Sequence, residues 1–81
     1  MFHDMTHPTA TLQTAVAQGL RAEAARQNIS RRQLAERMGR SHNWVSRKFN
    51  GTTPITVDDL QELADALNVP VVSLVVDVVA S

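Results

Sequence analysis

Apolar positions along this chain recur with the period of a helix and almost nowhere with that of a strand. From Ala10 to Gln27, Leu12, Ala15, Val16, Leu20 and Ala24 fall on one face, which predicts a first helix with Thr9 or Thr11 as its cap after Pro8. Asn28 tolerates the left-handed backbone that ends a helix, and Ser30-Arg31-Arg32-Gln33 has the spacing of a capping box. A second helix therefore starts at Arg31, buries Leu34, Ala35 and Met38, and stops at Gly39. Ser41 then caps a third helix from His42 to about Phe49, ended by Asn50-Gly51. Only Arg40 separates stop from start, so the two helices must cross steeply, with Val45 and Phe49 closing over Leu34, Ala35 and Met38. His42, Asn43, Ser46, Arg47 and Asn50 are left pointing outward.

After a loop from Thr52 to Ile55, Thr56 caps a fourth helix. Its stripe is Val57, Leu60, Leu63, Ala64 and Leu67, and its solvated residues are Asp58, Asp59, Glu62 and Asp65. The closing PVVSLVVDVVAS is rich in β-branched residues and reads as strand or helix; Pro70 at a first helical position favours a short helix with Val71, Leu74, Val75 and Val78 on one side. The valines exceed what one stripe can bury, so residues 70–81 are expected to meet a second copy of the chain. The expected fold class is thus all-α, a compact domain of four to five helices over residues 10–81, preceded by a flexible arm at 1–9.

A chain of 81 residues makes one modest core and leaves little room for a catalytic cleft. It contains no cysteine, so packing alone must hold the fold. No run approaches the roughly 18 apolar residues of a membrane span, and the first residues lack the pattern of a signal peptide. A soluble, cytoplasmic protein is expected. The formal net charge is zero, but the distribution is polarised. All eight basic residues lie between Arg21 and Lys48 against only Glu23 and Glu36, a local excess of +6, and five acids follow with no base. That split predicts an electropositive face in the middle of the chain.

The stretch ISRRQLAERMGRSHNWVSRKFNG, residues 29–51, resembles the helix-turn-helix of the phage repressor and Cro family of transcription regulators, and TVDDLQELADALNVPVVSL resembles the helix that follows it. The resemblance covers roughly positions 12 to 75. Leu34, Ala35, Gly39 and Val45 stand where such motifs have an apolar residue, a small residue, the turn glycine and a β-branched core residue. It implies a lambda-repressor-like fold with a helix-turn-helix at 31–50, and double-stranded DNA as partner.

The chemistry of the outward residues agrees. A helix in the major groove needs donors and acceptors at its N-terminal end, which His42, Asn43, Ser46 and Arg47 supply; Arg47 suits guanine and Asn43 adenine. Arg31, which matches the family position at the start of the second helix, is expected to grip phosphates together with Arg40, Ser41, Trp44, Lys48, Asn50, Thr52 and Thr53. Two residues depart from the family pattern. Lys48 stands at a usually apolar position, so Phe49 is expected to take over that packing through a slight rotation of the helix. Trp44 stands at a usually small one, where its indole has three possible settings: against sugar and thymine methyl, over the second helix, or in a widened core.

No metal, cofactor or small-molecule ligand is expected, since His3, His7 and His42 have no cysteine or acidic partner at ligand spacing. No catalytic constellation is present in the sequence. The reading that follows is a homodimeric repressor or Cro-like regulator at the nucleoid. The alternative is an antitoxin-like protein-interaction module that uses the valine tail and acidic fourth helix.

Overall fold

The computed structural model describes residues 8–80, with side chains over 12–75. Five helices follow in order: α1 (Pro8–Gln27), α2 (Arg31–Met38), α3 (His42–Asn50), α4 (Val57–Leu67) and α5 (Val71–Ala80). No strand occurs among the described residues, and the valine-rich tail is helical.

One local device ends the first four helices. Asn28, Gly39, Gly51 and Asn68 each take the left-handed conformation, with φ of 58°, 68°, 75° and 60°. The N–H that follows each one turns back to a carbonyl five residues earlier: Ile29 to Ala24, Arg40 to Ala35, Thr52 to Arg47 and Val69 to Ala64. Carbonyls that a helix end would leave bare are thereby paired, and the chain reverses within two or three residues. Starts are as well defined. Ser30 and Thr56 form capping boxes with Gln33 and Asp59, and the Ser41 hydroxyl accepts from the Trp44 N–H. The helix α1 begins at Pro8, ahead of both Thr9 and Thr11, so neither threonine caps it; proline suits a first helical position, where its missing N–H has no partner to lose. The expected arm is otherwise outside the described residues, as are His3 and His7.

The core is a single cluster drawn from all five helices. Val16, Ala17, Leu20 and Ala24 come from α1, Leu34 and Ala35 from α2, Val45 and Phe49 from α3, Leu63, Ala64 and Leu67 from α4, and Leu74 from α5. Ile55 closes one end, held by a two-way pairing: its N–H donates to Gln13 Oε1 (2.7 Å) and its carbonyl accepts from Gln13 Nε2 (3.1 Å). Val57, the first residue of α4, is not part of the buried stripe and stands 83% exposed. Leu12 is likewise 43% exposed rather than buried, near the start of α1. The helix α5 packs chiefly on α1 and crosses it at Gly19, where the backbone of Leu74 occupies the space a Cβ would need.

Candidate nucleic-acid interface

The site is built by the turn between α2 and α3. Gly39 stops α2 and Ser41 starts α3, so α3 turns back onto α2 with Val45 and Phe49 in the same core cluster as Leu34 and Ala35. That placement turns His42, Asn43, Ser46, Arg47 and Asn50 to the other side of the helix, where all are exposed except the half-buried Ser46. Among the described residues, His42, Asn43 and Arg47 make no hydrogen bond or ion pair through their side chains. Their donors and acceptors remain available to something outside the chain.

Arg31, the first residue of α2, reaches across to α3. Its Nη1 donates to Asn50 Oδ1 (3.0 Å) and, at the long limit, to Ser46 Oγ (3.4 Å), and its guanidinium lies 5.2 Å from the centre of the Phe49 ring. Arg21 on α1 donates to the Phe49 carbonyl, a favourable place for a cation because the C-terminal end of a helix is its negative pole. Thr52 is exposed and Thr53 half-buried in the loop beyond.

Lys48 and Arg40, both expected phosphate ligands, are paired with carboxylates of α4. Lys48 is buried, with its ammonium donating to the Pro54 carbonyl (2.6 Å) and to Asp59 Oδ2 (2.7 Å), and it cannot reach a phosphate without breaking both. Lys48 is therefore removed from the candidate interface. The expected rotation of α3 is also absent: Val45, Lys48 and Phe49 are all buried, so position 48 keeps the inward setting of an apolar residue and meets the cost of its charge with Asp59. Arg40 is exposed but forked onto Glu62, Nε to Oε2 at 2.9 Å and Nη2 to Oε1 at 2.7 Å. Trp44 is half-buried at the margin of the core, with the Arg40 guanidinium 4.2 Å and the Lys48 ammonium 5.2 Å from its ring centre. The indole thus edges the core between two cations that α4 neutralises.

The sequence pattern leaves Asp59 and Glu62 solvated, whereas in the structure they anchor α4 to the turn and to α3. A lysine at a position that wants an apolar residue was the available signal, since a buried ammonium requires a carboxylate partner. The basic segment is also less free than its composition implies: Arg26 pairs with the buried Glu23, and Arg37 donates to the Ala66 carbonyl.

The two anchoring carboxylates give the fold an acid limit. Burial raises the Asp59 carboxyl, but its bonds from Lys48 and Thr56 outweigh burial and hold it below the ordinary 3.8. The Arg40 hydrogen bond, opposed by slight desolvation, holds Glu62 below the ordinary 4.5. A carboxylate whose folded value is depressed adds stability that is complete above its unfolded value and is lost as pH falls through the folded one. The melting temperature is expected to be insensitive to these two groups near neutrality and to fall once pH drops below about 4. Melting curves across the acid range check this, and Asp59→Asn should flatten the decline.

Two helices joined by a tight glycine turn, the second presenting a polar face on which His42, Asn43 and Arg47 have no side-chain partner among the described residues, define the class of helix-turn-helix domains. The helix-turn-helix domain family matches residues 15–74, and the chain belongs to that family. The class is one of DNA-binding, regulatory domains. No curated protein and no solved structure gives a match. No helix among the described residues is long and apolar enough to cross a membrane, and no cluster of three or more His, Asp or Glu there could hold a metal ion.

Proposed function

We propose that this protein is a sequence-specific regulator of transcription, a small repressor or Cro-like protein that reads an operator with α3 in the major groove. The observation that carries this reading is the face of α3: His42, Asn43 and Arg47 project from a helix whose opposite side is locked in the core, and none has an internal partner among the described residues. Arg47 is one helical turn beyond Asn43, so both enter the same groove, the fork of Arg47 suited to guanine and the amide of Asn43 to adenine. Ser46 lies beside them. Arg31, Arg40, Ser41, Asn50, Thr52 and Thr53 flank this face and supply phosphate contacts, which set register rather than sequence. Trp44 supports the flank through Arg40.

The protein acts as a homodimer on DNA, each α3 reading one half-site about one helical turn from the other. Val72, 57% exposed on α5, is apolar surface of the kind a second copy covers. Repression follows by occupying the promoter in the cytoplasm of a bacterial cell. Selection of bound sequences from a random duplex pool tests all of this together, because half-site content, spacing and symmetry appear in one readout; recovery of no enriched sequence overturns it.

Arg47→Ala should relax the preference at one base pair of the selected site, with a loss of roughly 1–3 kcal/mol on that site. Arg31→Ala should weaken every duplex alike and flatten the salt dependence. Gel shifts at several salt concentrations separate the two, and identical behaviour of both variants refutes the assigned roles.

A further inference from the structure

The pairs made by α4 are of two kinds. Lys48 and Asp59 have side chains only 9% and 16% exposed, and they are fixed parts of the fold. Arg40 and Glu62 are 39% and 35% exposed, on the surface beside the proposed DNA-reading helix. The Glu62 carboxylate meets Arg40 through two parallel bonds, the same fork by which a guanidinium takes a phosphate. Stacking on Trp44 holds the guanidinium in place for either partner.

We propose that Glu62 is an internal competitor for the DNA backbone, occupying on Arg40 the position a phosphate takes in the complex. This rests on the DNA-binding reading above. Arg40 must leave Glu62 to neutralise a phosphate, and the carboxylate left behind then faces like charge. Both effects lower affinity for any duplex, whatever its sequence. Glu62 sets how tightly the protein holds DNA while the α3 residues set where.

The test compares Glu62→Gln with the native chain on the selected duplex and on an unrelated one. Glutamine keeps the shape but loses the charge and one of the two acceptor oxygens, so its hold on the guanidinium is weaker. Binding to both duplexes should tighten by a similar factor, roughly three- to tenfold, and the plot of log affinity against log salt should steepen by about one contact. The preferred sequence should be unchanged. Asp65→Asn is the control, because Asp65 is an exposed α4 acid that accepts from Gln61 and pairs with no cation among the described residues. An equal gain in that variant would reduce the effect to net charge and overturn the proposal. So would weaker binding of Glu62→Gln at unchanged salt slope, which would make Glu62 a support for α3. In an Arg40→Gln background, Glu62→Gln should have little further effect; a full gain there also overturns it. If the native chain and all variants bind no duplex, the DNA-binding reading itself fails, whereas equal binding by native chain and Glu62→Gln removes the competitor alone.

Discussion

Asp59→Ala should lower stability by about 3 kcal/mol, at the lower end of what breaking a buried ion pair costs. Asp59 Oδ2 accepts from Lys48 Nζ at 2.7 Å and from the Thr56 N–H at 3.1 Å, so one substitution strands a buried ammonium and opens the capping box of α4. The Pro54 carbonyl and the Trp44 ring then face Lys48 with no carboxylate between them. The cost stays at the lower end because the Asp59 side chain retains 16% of its exposure, and water can partly take its place. For a domain of this length the melting temperature should drop by roughly 15 °C. Lys48→Met should cost far less, within about 1 kcal/mol, because it removes the charge, keeps the buried stem and leaves Asp59 its cap. Chemical denaturation of both single variants and of the double variant checks the pair. An Asp59→Ala protein as stable as the native one would mean that the ammonium is not buried in solution.

Gly19→Ala is the second large effect, and its sign is the informative part. In an open helix, alanine for glycine gains up to about 1 kcal/mol. At position 19 the new Cβ would collide with the carbonyl oxygen of Leu74, which is backbone and cannot rotate away. The crossing of α1 and α5 must widen, pulling Leu74 from the core, and a loss of roughly 1–3 kcal/mol is expected. Hydrogen exchange locates it: amides of α5 should lose protection well before those of α2 and α3. A stabilised Gly19→Ala protein would show that α5 does not lie on α1 at this distance.

What the sequence revealed and what it hid divide by range. Asn28, Ser30, Gly39, Ser41, Gly51 and Thr56 act on backbone groups within a few residues, so their roles at helix ends could be read from spacing alone. The outward face of α3 followed from the same local geometry, because one glycine turn fixes how α3 leaves α2. The pairings Arg40 to Glu62, Lys48 to Asp59 and Arg21 to the Phe49 carbonyl depend on how α4 and α1 approach the turn and α3, which no local pattern encodes. The same holds for Val57, whose apolar side chain fits the helical stripe yet lies outside the core.

The grip on both ends of α3 bears on the kinetics of recognition. The Ser41 hydroxyl secures its first turn, while Arg21 from α1 and Arg31 from α2 hold its last. A rod clamped in this way meets its target preorganised and loses little conformational entropy on docking. Encounter with a duplex would then be governed by diffusion and electrostatic attraction rather than by a slow rearrangement of the protein.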